Sequence, residues 1–277
     1  MGNLRAVMSA ALLSFAACSG DGAAKPDAPL IHLDAAIDAI PDSPPPVDAP
    51  SYDFTCLNNT APTAIAATVT VAGLAQEVVI NGTTPGIQAN ANVSIKACKG
   101  DCMNANNLGT TTSSATGTYS TAALTTNGVA LDGYLDATKA NDRRTLVFPP
   151  SPLAQSQSNV PILQFSNSAF AALDLINIID PPQNDQTNGL IGIVVTDCMN
   201  MPINGATVTV QQNGSDVGSQ KLDLGALAAQ ATGTWLIPNV PPGNTTVNAA
   251  YGGMNFRAHI VVSVIGATTT TGVRPGF

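Results

Sequence analysis

From residue 67 onward, apolar and polar residues alternate in short runs that close on Gly, Asn or Pro. That rhythm belongs to half-buried β-strands, not helices. It predicts strands over 67–73 (ATVTVAG), 75–82 (AQEVVING), 92–98 (NVSIKAC) and 144–149 (RTLVFP). It predicts five more over 190–197, 206–214, 234–240, 245–253 and 257–264. Helical spacing stands out once, over 166–178. There Ser166 and Asn167 are placed to cap, and Phe170, Leu173 and Asn177 fall near one face.

The pattern repeats. ATGTYS (115–120) matches ATGTWL (231–236) at an offset of 116, and ANVSIKA (91–97) aligns with ATVTVQQ (206–212) at an offset of 115. Two matches at nearly equal offsets predict a duplicated unit. The expected fold is all-β: two tandem antiparallel β-sandwiches over 54–165 and 186–277, joined by a short helix and linker over 166–185.

Ahead of this region the pattern changes twice. Ala6 to Ala17 is an apolar run of twelve, preceded by Arg5 and ending at Cys18. A spanning helix needs about 20 apolar residues, so the run reads as a signal peptide over 1–17. Residues 18–53 are rich in Asp, Ala and Pro, which favours an extended, self-repelling tether. His32 lies within it and reads as a solvated linker histidine. The letters FAAC (15–18) resemble the lipobox of bacterial lipoproteins, with Phe15 where Leu is usual. The resemblance implies lipidation of Cys18 and anchorage in the cell envelope. Ser19 and Gly20 point to the outer membrane of a Gram-negative bacterium.

Composition sharpens this reading. Charged residues are only 10% of the chain, and Glu77 is the single glutamate. Residues 21–53 hold seven aspartates against Lys25 alone, whereas 54–277 hold eleven acids against eight bases. No basic stripe is present to neutralise phosphates, so no nucleic-acid partner is expected.

The second unit carries PINGATV, GTWLIPNVPPG and AAYGG, with Pro202, Gly205, Ala206, Val208, Gly233, Trp235, Pro242, Gly243, Tyr251 and Gly252 at the telling positions. In this it resembles carboxypeptidase regulatory-like domains of the prealbumin-like sandwich type. The first unit is looser and lacks PPG. The resemblance implies a non-catalytic domain.

Candidate chemistry is sparse. His259 sits in an expected strand with no nucleophile motif in the sequence, and Asp132 and Asp136 pair by spacing alone. Asp180, Asn184, Asp185 and Asn188 cluster oxygen donors without the EF-hand spacing, and read as a linker. No catalytic residue, metal or cofactor is assigned. Starch-binding-like modules share the sandwich, so Trp235 and Tyr119, at matching repeat positions, form the candidate ligand platform. With Cys18 lipidated, Cys56, Cys98, Cys102 and Cys198 remain, and an even set in an exported chain suggests two disulfides. Three connectivities are open. The short CKGDC loop favours Cys98 with Cys102, leaving Cys56 with Cys198. The expected function is a non-enzymatic envelope lipoprotein with a structural, adhesive or protein-interaction role, carbohydrate binding being the alternative. Its expected partners are the membrane, through the lipid, and an unidentified protein or glycan.

Overall fold

The computed structural model describes residues 51–277 except 82–83, 176–178 and 227–230. The expected signal peptide, Cys18, His32, Asn177 and nearly all of the tether lie outside the described residues. Ten strands precede the helix: β1 (Thr68–Val69), β2 (Val71–Asn81), β3 (Thr84–Ala89), β4 (Ser94–Cys98), β5 (Asn107–Thr112), β6 (Thr118–Ser120), β7 (Leu124–Thr125), β8 (Tyr134–Thr138), β9 (Thr145–Phe148) and β10 (Gln157–Phe165). Helix α1 (Asn167–Leu175) follows. Nine strands come after it: β11 (Gly189–Val195), β12 (Thr207–Gln212), β13 (Ser215–Asp216), β14 (Leu222–Asp223), β15 (Thr234–Val240), β16 (Gly243–Tyr251), β17 (Met254–Asn255), β18 (His259–Ser263) and β19 (Thr268–Val273). Among the described residues the protein is all-β apart from α1 and short 3₁₀ stretches such as Asn104–Asn106. None of the described helices is long and apolar enough to cross a membrane.

The strand pairings of the two halves correspond. β2 pairs antiparallel with β6 and parallel with β10; β11 pairs antiparallel with β15 and parallel with β19. β4 lies between β5 and β8, and β8 also pairs with β9. In the same way β12 lies between β13 and β16, and β16 also pairs with β18. Each half therefore has one sheet of each kind. In the first half the two sheets close on a shared core that includes Val71, Ala75, Ile95, Tyr119, Leu135, Ala137 and Ile162.

The repeated ATG shows why the sequence recurs. Gly117 and Gly233 both have positive φ, 77° and 72°. The Gly117 carbonyl accepts from Ala75 N at 2.7 Å, and the Gly233 carbonyl accepts from Val195 N at 2.8 Å. A Cβ would stand 2.3 Å from Ala75 O in the first case and 2.8 Å from Val195 O in the second. The backbone approaches too closely for any side chain.

Three features differ from the expectation read in the sequence. The separate strands 67–73 and 75–82 are largely one strand, β2. Gly73 is not a turn there; β10 passes so close that a Cβ would lie 1.9 Å from Val160 O. Besides strands such as β3 and β5, the strands β10 and β19 went unanticipated. Pro161 interrupts the first, which is tolerated because β10 is an edge strand pairing only with β2. The second reads as polar, ATTTTGV, yet Thr268, Thr269 and Thr271 are buried. Finally, the sheets are not wholly antiparallel, since β19 pairs parallel with β9 as well as with β11. That last pairing joins the halves. It produces an eight-stranded sheet in the order β14-β15-β11-β19-β9-β8-β4-β5, and Asp53–Phe277 form one unit.

The leading segment of the unit docks on the second half. Cys56 is bonded to Cys198, with Cα atoms 5.7 Å apart. The buried Asp197 carboxylate accepts from Asp53 N, Met199 N and Met201 N at 2.8–2.9 Å. Phe54 stacks on Tyr251 at 5.8 Å.

Gly117→Ala and Gly233→Ala should each cost at least about 2 kcal/mol, combining left-handed backbone strain with a backbone clash. Gly128→Ala, at φ 75° with nothing within 4 Å, should cost only about 1 kcal/mol. Urea denaturation of the three variants checks the order.

Candidate functional site

The turn between β8 and β9 reads KANDRR, residues 139–144, and carries three of the chain's ten Lys and Arg residues. The register Ala137↔Thr145 closes the hairpin. Asn141 takes φ 69°, a conformation that Asn tolerates better than most residues. Its carbonyl accepts from Asn167 N at 2.9 Å, seating the turn at the start of α1. Ser166 caps that helix through Ala169 N.

Arg143 points inward and is 4% exposed. Its guanidinium makes a two-pronged ion pair with Asp185 and lies over the Phe170 ring at 4.2 Å. Nε donates to Thr268 Oγ1 at 3.0 Å. One side chain thus contacts the helix, the linker and β19 of the second half. Burying a cation is costly unless it is paired and hydrogen-bonded, and here both conditions hold. Arg144 instead grips Asp136 with two bonds of 2.8 Å.

Lys139 and Asp142 face the other way. Lys139 Nζ lies 2.5 Å from Asn90 Oδ1 and 3.8 Å from both Glu77 Oε2 and Asp142 Oδ2. Asn90 is fully buried, and its Nδ2 donates to Asp142 Oδ2 at 2.8 Å and to Gln164 Oε1 at 3.1 Å. Gln164 Nε2 in turn donates to the carbonyls of Ala137 and Arg143, both at 3.2 Å. An amine, a primary amide and two carboxylates, among them the lone glutamate, meet in one cluster.

Sequence reasoning passed over this turn. Nowhere else in the sequence do three bases and an acid fall within six residues, and that density was the available signal. Of the residues it did weigh, Asp136 and Asp185 pair with the arginines of this turn and the others lie elsewhere. Tyr119 is 5% exposed and donates from its hydroxyl to Val160 O at 2.8 Å, and burial raises its pKa above the ordinary phenol value. Trp235 is half-buried on β15, in a different sheet from β6, so the two rings do not share a face. Asp136 is tied to Arg144 while Asp132 is exposed. Asp185 pairs with Arg143, and Asn184 N donates to Asn239 Oδ1 at 2.7 Å, so that linker is anchored to both halves. Cys98 and Cys102 are bonded to each other. They lie near Asp136, but with the sulfurs joined and the carboxylate paired, the three offer no ligand set for an ion.

His259, on β18, bonds Thr271 Oγ1 through Nε2 at 2.7 Å, while its Nδ1 is sealed from solvent without a partner. Burial, assisted by the Arg257 charge, lowers its pKa from 6.5 to about 4. A cleft of about 250 Å³ opens beside Arg257, bordered by Asn59 and Phe277. Its amide Asn59 is engaged with the Phe277 backbone at 2.7 Å, and Arg257 lies over the Phe277 ring at 4.0 Å.

No family model matches the sequence, and no curated protein matches it. Among solved structures, the Bacillus anthracis TIE protein is 9% identical with a TM-score of 0.23; the likeness covers 74% of this chain but only 34% of that one. A mutant shaft pilin SpaA from Lactobacillus rhamnosus GG is 11% identical over 76% of this chain and 98% of its own, with a TM-score of 0.23. A putative cell adhesion protein from Bacteroides ovatus is 7% identical over 76% and 94%, with a TM-score of 0.24. At such scores these likenesses say nothing about function, and the architecture stands on the strand pairing.

Arg143→Ala should destabilise the fold by about 3 kcal/mol, since it empties a buried site and removes the guanidinium bonds to Asp185 and Thr268 across the seam. Asp185→Asn should cost as much, about 3 kcal/mol, because it leaves the buried guanidinium without its counter-ion, and the double variant should cost less than the sum of the two. Thermal melts of the three variants check this. For His259 the sign follows from the lowered folded pKa. Its contribution is complete above pH 6.5, declines between pH 6.5 and 4 as the unfolded state takes up the proton first, and levels off below. The loss is at most about 3 kcal/mol. In urea titrations at pH 7.5 and 4.5, His259→Gln should lose less stability on acidification than the parent chain.

Proposed function

We propose that this chain is a non-enzymatic cell-envelope lipoprotein that holds a stiff pair of β-sandwiches, of carboxypeptidase regulatory-like type, away from an outer membrane. Cys18 carries the lipid, and the Asp- and Pro-rich tether spaces the folded part. The pair acts as a structural or adhesive module that engages a protein on its exposed loops. The observation that carries this reading is the continuous sheet through β9 and β19. Two domains on a string share no ladder. A common sheet with a buried arginine across the seam keeps two surfaces at a fixed spacing, which suits presentation and assembly. Two disulfides among the described residues support an oxidising compartment, where such bonds persist.

The reading is tested by fractionation. The parent chain should partition with envelope membranes and incorporate a fatty-acid analogue. Cys18→Ser should abolish the label and release the folded part into the soluble fraction. A parent chain recovered in the cytoplasm with reduced cysteines would contradict the proposal.

A further inference from the structure

We propose that Lys139 and Asn90 are joined by an intramolecular amide bond, formed without a cofactor inside the first half. Three observations converge on it. The amine nitrogen of Lys139 and the amide oxygen of Asn90 are in contact at 2.5 Å. A single oxygen, Asp142 Oδ2, lies 3.8 Å from the attacking nitrogen and accepts from the nitrogen that must leave at 2.8 Å. The amide and both carboxylates are withdrawn from water, with Asn90 fully buried and the Asp142 and Glu77 side chains 4% and 12% exposed, while the Lys139 side chain, 31% exposed, reaches in from the rim. A nucleophile, an electrophile and a proton carrier held together in this way have the effective concentration that amide exchange requires.

The duplicated half shows that the fold does not demand this cluster. Asn90 N bonds the carbonyl of Ala75, and its counterpart Ile203 N bonds that of Val195. On β8, Ala137 opposes Ile95; on β16, Val247 opposes Val210. Lys139 therefore corresponds to Ala249. The second half fills these two places with buried Ile203 and Ala249. Apolar packing satisfies the architecture there, so the polar set of the first half, which costs desolvation, serves some other end.

The step balances. The Lys139 ammonium gives a proton to a carboxylate, Asp142 assisted by Glu77, and the freed amine attacks Asn90 Cγ. A Cγ–Nζ bond forms and the Cγ–Nδ2 bond breaks. Two protons leave Nζ in total, and both go by way of the carboxylates to the departing amide nitrogen, which is released as ammonium. No oxidant or reductant takes part. The product ties the β3–β4 connection to the β8–β9 turn, and with it the two sheets of the first half.

Intact-mass measurement of the mature full-length chain, with disulfides reduced, decides the matter. The parent chain should be lighter than its sequence by one ammonia. Tryptic digestion should yield a branched peptide joining the segment that ends at Lys96 to the segment from Gly100 to Arg143, uncut after Lys139. Lys139→Arg keeps the positive charge but cannot form the bond, and should show its full mass. Asp142→Asn should also show its full mass while melting as a folded protein. A parent chain at full mass and cleaved after Lys139 would overturn the proposal. So would an ammonia deficit that maps to any other pair of residues.

Discussion

The arrangement of the molecule depends on one strand, β19, held between β11 and β9 by parallel pairing on both sides. Four of its six residues are threonines, a poor choice for a buried position unless every hydroxyl finds a partner. They do: Thr268 accepts from Arg143, Thr269 donates to Val262 O, Thr270 donates to Leu146 O and Thr271 bonds His259. The β-branched side chain suits the pleat, and the hydroxyl ties the strand to what lies beside and beneath it. If β19 were removed, β11 would lose its parallel partner and the two halves would lose their shared sheet.

Arg143 acts at the same seam from the other side. Its backbone belongs to the first half, while its guanidinium is spent on the linker and on β19. The segment read in the sequence as a linker is fastened because Asp185 is the counter-ion that makes the burial of this cation tolerable. The helix contributes the Phe170 ring beneath the guanidinium. Helix, linker and seam therefore form one coupled contact. A change at any of the three removes a partner from the other two, and their energies will not add.

The alternation of Val, Ile and Ala made strands such as β2, β4, β11, β12 and β16 legible in the sequence, and the repeat was legible because Gly117 and Gly233 answer the same close approach of backbone. Two kinds of feature were not. β10 and β19 conceal themselves, one behind Pro161 and the other in a run of threonines, since a composition rule cannot see which strand stands at an edge or which hydroxyls will be satisfied. The polar cluster was hidden for a different reason. Glu77, Asn90, the Lys139–Asp142 turn and Gln164 come from four places along the chain, and only the closure of two sheets brings them together.

The comparison between halves says what such a cluster is for. Where the duplicate holds Ile203 and Ala249, burial is favourable and non-directional, and it fixes volume more than orientation. Where the first half holds Asn90 and Lys139, each atom must meet a particular partner or the site loses stability. The same trade recurs at the seam, where threonines and an arginine stand in place of aliphatic residues. In a chain this poor in charge, many of the charged groups, such as Lys99, Asp101 and Asp132, are exposed at the surface, but the four of the β8–β9 turn are all drawn into specific contacts. They stand at points where one sheet must be held in a single position against another. A hydrophobic contact there would let the layers slide, whereas a bidentate pair or an amine set against an amide admits only one register.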